Sequence, residues 1–212
     1  MKEVSSMNGK EGLEAFLAKG FEMHFARPPG GVVRHALEIY EQEKEMIATD
    51  VHSRYPATAA RSDFDEVVAE VIEIDARIQA TLLYRLSRGI FLREPNHAHL
   101  PYLAYLMRAK TGAEIYYSAD IGPRLNVEHG MGIVVGPRHR IGSDFTIYQG
   151  VTLGQRRVDS PHERMVIATT ARSFPARNCS EQSPSAIMSA WVRMRCCSPM
   201  PRRTRPTPVC RR

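Results

Sequence analysis

The chain has 212 residues, with 29 lysines and arginines against 23 acids, for a formal charge of +6. That length suffices to bury a hydrophobic core, and no apolar run approaches the roughly 18 residues that cross a bilayer, so a membrane-spanning protein is not expected. The basic excess is local: from Ala168 onward there are nine arginines and one acid, Glu181, a balance of +8. Residues 1–167 carry 20 basic and 22 acidic side chains, a balance of −2. Nucleic acid is therefore not an expected partner of the body of the chain.

Residues 1–10 are polar and read as a frayed start without a signal peptide. Leu13, Phe16, Leu17 and Phe21 then fall at helical spacing over Gly12–Phe25, and Ala26-Arg-Pro-Pro-Gly-Gly31 breaks the pattern. Val33, Leu37, Tyr40 and Ile47 predict a second helix over Val32–Thr49, with Glu41, Glu43, Lys44 and Glu45 on its solvated side. Arg54-Tyr-Pro-Ala57 is a further break. Ser62-Asp-Phe-Asp-Glu66 offers an N-cap with acids in the first turn. From there Val67, Val71, Ile74, Ile78, Leu82 and Leu86 predict one long helix ending near Gly89. Pro95 and Pro101 bracket a short loop, NHAHL, and a last helix over Tyr102–Lys110 closes at Thr111-Gly112, a left-handed stop.

The rhythm changes at Glu114. Ile115, Ile121, Val127 and Ile133 recur every sixth residue, and Val135, Ile141, Ile147 and Leu153 form a second such series offset by two. Neither helix nor simple strand has this period; six residues per side is the mark of a hexapeptide parallel β-helix. Glycine follows the aliphatic residue at Gly122, Gly136, Gly142 and Gly154, and glycines suit corners, where positive φ or close backbone approach is needed. The predicted class is α+β: an α-helical domain over 1–111 capping the open end of a β-helix over 112–167.

After Ile167 the period stops. Residues 168–212 hold all four cysteines (Cys179, Cys196, Cys197, Cys210) in neither metal-ligand nor disulfide-framework spacing, with dense Arg, Pro and Ser. This tail is read as disordered, its composition that of out-of-frame text from a reading-frame shift near codon 168; a natural basic tail is the alternative.

Three stretches resemble serine O-acetyltransferases of the hexapeptide-repeat, left-handed β-helix acyltransferase superfamily: GAEIYYSADIG over Gly112–Gly122, EHGMGIVVG over Glu128–Gly136, and TIYQGVTLGQ from Thr146 to Gln155. They fit that family's repeat region without insertion or deletion from Gly112 to Gly154. The resemblance implies an acetyl-CoA-dependent O-acetyltransferase of cysteine biosynthesis acting on L-serine, cytoplasmic, with acetyl-CoA as cosubstrate and no metal. It also implies a homo-oligomer, a trimer or dimer of trimers. Chemically, such a transfer needs a base for the hydroxyl proton, best supplied by histidine near neutral pH, and a carboxylate to hold the imidazole. The resemblance puts these roles on His129 and Glu114, expected on successive coils. It puts acceptor binding on Glu128 and on the segment holding His162 and Arg164, and thioester contact near Gly154 and Gln155.

The departures bear on the acceptor. The family's Arg-Asp-Pro-Ala, whose aspartate contacts the acceptor's amine, reads Arg54-Tyr55-Pro56-Ala57 here. The family's carboxylate-holding Arg and His fall on Glu163 and Arg164, with His162 two residues before Arg164. Two alternatives therefore stay open: an acetyltransferase for another hydroxyl acceptor, and a catalytically impaired homologue acting as an oligomerising scaffold. A metal-dependent hydratase using His129, His139 and His162 lacks the ligand spacing such a site requires.

Overall fold

A computed structural model describes residues 9–154, 166–167 and 172–173. Among the described residues five α-helices and a 3-10 turn (Pro56–Ala60) precede nine short strands: α1 (Gly9–His24), α2 (Val32–Arg54), α3 (Phe64–Ile74), α4 (Ala76–Arg93) and α5 (Leu100–Thr111), then β1 (Glu114–Ile115), β2 (Asp120–Ile121), β3 (Asn126–Glu128), β4 (Val134–Val135), β5 (Arg140–Ile141), β6 (Thr146–Tyr148), β7 (Thr152–Leu153), β8 (Val166–Ile167) and β9 (Arg172–Ser173). None of the described helices is long and apolar enough to cross a membrane.

The helical expectations hold in kind and shift in extent. α2 runs five residues past Thr49, because Asp50 and Val51 are buried and Pro56 sets the stop. The single helix expected from Val67 to Gly89 is two. Asp75 leaves helical geometry at φ −121° and ψ 99°, and its carboxylate accepts from the Arg77 amide at 2.9 Å, so it caps α4 instead of continuing α3. The preceding Ile74, expected on the buried stripe, is 82% exposed. α5 starts at Leu100, with Pro101 in its first turn, where the missing N–H costs nothing. Its end is as expected: Gly112 caps it at φ 71°.

The strands form three parallel ladders, β1-β4-β7, β2-β5-β8 and β3-β6-β9, the three sides of a solenoid. Register pairs Ile115 with Val135, Ile121 with Ile141 and Val127 with Ile147, one turn of 20 residues. The next step on the first side, Val135 to Leu153, is 18, three hexapeptides. The offset of two between the aliphatic series is thus a two-residue insertion at one corner, His129–Gly132. All of these inward side chains are buried, with Leu125, Phe145 and Val151 filling the same core; each contributes about 1.5–3 kcal/mol of burial. β9 pairs Arg172 with Thr146 and Ser173 with Ile147, so the third ladder takes in residues beyond Ile167. The rest of the 168–212 segment lies outside the described residues.

Of the two reasons expected for the corner glycines, positive φ or close backbone approach, the second holds at Gly122. Gly122 and Gly136 are not in the left-handed region; among the corner residues, Arg124, His129, Arg138 and Asp144 are, at φ 58–69°. Gly122 is required by close approach instead: a Cβ there would sit 2.7 Å from the Ser143 backbone nitrogen on the next turn. Stacked corners also pair by charge, with Arg124 Nε donating to Asp144 Oδ1 at 2.5 Å.

The helical region is pinned to the first turn from α4. Arg85, 3% exposed, donates to Asp50 Oδ2 at 2.7 Å, to the Ile121 carbonyl at 2.6 Å and to the Gly122 carbonyl at 2.7 Å. Asp50, 1% exposed, accepts in turn from the Leu125 amide at 2.8 Å. Burial pushes the Asp50 carboxyl upward, opposed by the guanidinium and the amide. Tyr84 adds a hydroxyl that donates to the Ala119 carbonyl at 2.9 Å and accepts from the Ile121 amide at 3.1 Å. Edge carbonyls and amides that a bare solenoid end would expose are thus satisfied by helix side chains.

Candidate active site

The insertion corner is where the chain's chemistry-bearing residues gather. His129 follows β3 directly and takes φ 64°, with Gly130 at 79° and Gly132 at 72° completing the bend. Three other non-glycine residues share this conformation, so it belongs to the solenoid's corners and is not strain reserved for His129. The corner folds back on the end of α5: the Gly132 amide donates to the Gly112 carbonyl at 2.9 Å, and a Cβ on Gly130 would lie 3.0 Å from the Thr111 carbonyl oxygen. The His129 side chain is exposed.

Glu114 lies at the start of β1, immediately after this α5 terminus. It does not lie one coil away from His129 as expected, because a turn of 20 residues is longer than their separation; the two share the first turn. Nor do their side chains pair: Glu114 Oε2 accepts from Arg108 Nη1, in the last turn of α5, at 3.3 Å. The corner brings His129 beside the Thr111–Gly112 segment from which Glu114 departs, while the carboxylate itself faces Arg108.

Glu128, the last residue of β3, is embedded in a half-open ionic cluster. Arg54 Nη1 at the end of α2 donates to its Oε1 at 2.6 Å, and Arg77 Nη1 lies 3.5 Å from its Oε2. Both arginines are shared with Asp75, whose carboxylate accepts from Arg77 Nε at 2.7 Å and lies 3.7 Å from Arg54 Nε. The Tyr55 hydroxyl donates to Asp75 Oδ2 at 2.7 Å. Burial, and then the bond to Asp75, pushes the Tyr55 phenol up, which keeps it a donor. Tyr55 holds the position of the family's aspartate, and its hydroxyl ends on a carboxylate from a different helix.

One neighbour of the corner carried no expectation. Register pairs Glu128 with Tyr148, so Gln149 is the next residue on the turn above. Its Oε1 is buried with no hydrogen-bond partner among the described residues; a buried acceptor without a donor is uncommon and costs about 1–3 kcal/mol. The signal was present in the TIYQGVTLG stretch, where Gln149 is the one amide side chain. Arg77 and Asp75 carried no motif and could be found only through the fold.

His139 has a different use. It is 1% exposed, its Nε2 lies 3.0 Å from the Leu153 carbonyl, and burial lowers its pKa. It is a core histidine of the solenoid. Gly154 is exposed at the end of β7, while Gln155, His162 and Arg164 lie outside the described residues.

A helical region capping a parallel β-solenoid, with an exposed imidazole at the solenoid's irregular corner, defines the class of protein. Among known proteins the chain is similar to serine acetyltransferases. It is 44% identical over 85 residues to that of Helicobacter pylori (strain ATCC 700392 / 26695), covering 40% of this chain and 49% of that one. It is 39% identical over 85 residues to that of Staphylococcus xylosus, covering 40% and 39%. The chain thus spans about half the length, or less, of these relatives. In three dimensions it resembles the serine acetyltransferase of Brucella abortus strain S19 solved in complex with coenzyme A, at TM-score 0.60 and 17% identity, covering 79% of this chain and 66% of that one. It also resembles the soybean serine acetyltransferase complexed with serine, at TM-score 0.56 and 16% identity, covering 79% and 67%. At such identities the structural likeness carries the fold alone. No protein-family model matches the chain.

Proposed function

We propose that this chain is an acetyl-CoA-dependent O-acetyltransferase whose acceptor is L-serine, with His129 as general base. The observation that carries this reading is the exposed His129 imidazole, set at an enlarged corner of the solenoid beside the Glu128 cluster. An exposed imidazole there can take the proton of an acceptor hydroxyl as its oxygen attacks the thioester carbonyl. The resulting imidazolium returns that proton to the departing thiolate when the tetrahedral adduct collapses, so the base is regenerated within one cycle. Gln149, one residue past the position stacked on Glu128, is a proposed polar contact for either substrate.

The acceptor side rests on charge. Arg54, Arg77, Asp75 and Glu128 together present both signs to a zwitterion, with Arg77 about a third exposed. His162 and Arg164 remain proposed carboxylate contacts, and Gly154 with Gln155 proposed thioester contacts. For Glu114 to hold the His129 ring it must exchange Arg108 for the imidazole; that positioning role is part of the proposal. The reading also includes a cytoplasmic homo-oligomer, a trimer or dimer of trimers.

Thiol release from acetyl-CoA in the presence of L-serine is the test. Activity abolished by His129→Ala is the expected result, and no release with L-serine or any small hydroxyl acceptor would sink the proposal. The engagement of Glu114 by Arg108 favours one rival, a non-catalytic scaffold. Titration calorimetry separates the two, since a scaffold has no need to bind coenzyme A.

A further inference from the structure

Far from the His129 corner, three histidines converge within the helical region. His35 stands in the first turn of α2, and His97 and His99 stand in the connector between α4 and α5, at most 64 residues away in sequence. Their nitrogen donor atoms all lie within 4.8 Å of one another, and all three rings are half-buried. His35 Nδ1 and His99 Nδ1 are 3.2 Å apart. The His97 ring centroid lies 4.5 Å from that of His35 and 4.4 Å from that of His99.

From this arrangement we infer that His35, His97 and His99 form a zinc-class divalent metal site. A tetrahedral ion with Zn–N bonds of 2.0–2.1 Å has its ligand nitrogens about 3.3 Å apart. The His35–His99 pair already has that edge length, and the third nitrogen needs only a small closing movement. Without a metal, two facing nitrogens can share only one proton. A cation bound to both lone pairs replaces it.

The surroundings fit as well. The Gly30 backbone carbonyl hydrogen-bonds the His99 ring, the kind of outer contact that fixes a ligating imidazole. His97 Nδ1 accepts from the His99 amide at 3.1 Å, and Glu94 Oε2, on an exposed side chain, lies 3.7 Å from His97 Nε2, so that carboxylate or water can take the fourth position. Three protein nitrogens with one open position is a recognised zinc arrangement. Among the described residues no proposed acceptor contact belongs to the cluster, so the ion's work is structural: it ties the start of α2 to the entry of α5, the helix whose end carries Glu114 and the His129 corner.

The experiment uses the full chain, stripped with chelator and dialysed against zinc chloride. One retained equivalent of zinc is expected, with affinity reduced about tenfold or more in both His35→Gln and His99→Gln. Cobalt substitution should give the visible band of a tetrahedral nitrogen/oxygen site. Absence of bound zinc overturns the inference. So does zinc retained equally by the variants, or a thiolate-to-cobalt absorption band, which would assign the metal to the cysteines of the C-terminal segment. Should either variant fail to fold, the cobalt spectrum of the unaltered chain decides between these outcomes.

Discussion

Two carboxylate–guanidinium networks meet the first solenoid turn, one on each side of β3, and they differ in a way that separates structure from chemistry. Asp50 and Arg85 are sealed from water, and among the described residues every hydrogen-bond partner they have is a backbone group or each other. The Arg54–Glu128–Arg77–Asp75 cluster uses the same chemistry beside an exposed histidine, with Glu128 and Arg77 still part-open to solvent. A sealed pair can only hold the fold, because nothing else reaches it. A half-open cluster keeps charge available to something that arrives. The difference is burial, not residue type.

The largest expected effect tests the sealed network. Arg85→Ala leaves Asp50 and two backbone carbonyls buried without their donor, and should lower unfolding free energy by about 3–5 kcal/mol. Denaturant titration measures this; a change below about 1 kcal/mol would mean that the network does not anchor the helices to the solenoid. His129→Ala is the opposite case. It should reduce acetyl transfer about 100-fold or more, while an exposed side chain's removal shifts stability by less than about 0.5 kcal/mol. A variant that lost both together would erase the distinction between the two regions.

Gly122→Ala places a Cβ 2.7 Å from a backbone nitrogen that cannot swing aside, and should cost about 1–3 kcal/mol by thermal unfolding. Its neighbour in role, Glu114→Gln, sharpens the open side. If Glu114 positions the His129 ring, kcat falls and the pH profile of the reaction shifts; if it only pairs with Arg108, stability changes slightly and the profile stays put.

The smallest effect concerns pH. Burial depresses the pKa of His139 below its ordinary value of about 6.5 in the folded chain. The unfolded chain then binds a proton first as pH falls. The stability contributed by neutral His139 is therefore complete above about pH 6.5 and is lost as pH falls from there toward the depressed folded value. Melting temperature followed from pH 7.5 downward should decline through that window, and His139→Gln should flatten part of the slope.

Much of this was legible because it is periodic. The six-residue repeat named a solenoid and showed an offset of two between its series; only register showed that the offset is an insertion at the His129–Gly132 corner. The helix stripes located α1, α2 and α5 to within a few residues. They concealed the break at Asp75, since an N-cap placed in phase with an apolar stripe leaves the periodicity intact. Glycine after Ile121, Val135, Ile141 and Leu153 was visible, but which of the two reasons applied was not: steric approach across turns depends on which residues stack, while the left-handed positions include Arg124, His129, Arg138 and Asp144 beside Gly130 and Gly132.

The amino-acid order by itself determined the architecture, helices followed by a β-solenoid, because burial patterns with different periods cannot be satisfied by the same backbone. It also singled out His129, Glu114 and Glu128 through the motifs around them. Only the tertiary structure decided what those side chains touch: Glu114 against Arg108, Glu128 against Arg54, Asp75 bridging two arginines and a tyrosine, and His35 meeting His97 and His99. Such contacts join residues tens of positions apart, and their distances are set by how the helices pack on the first turn, which no local pattern encodes.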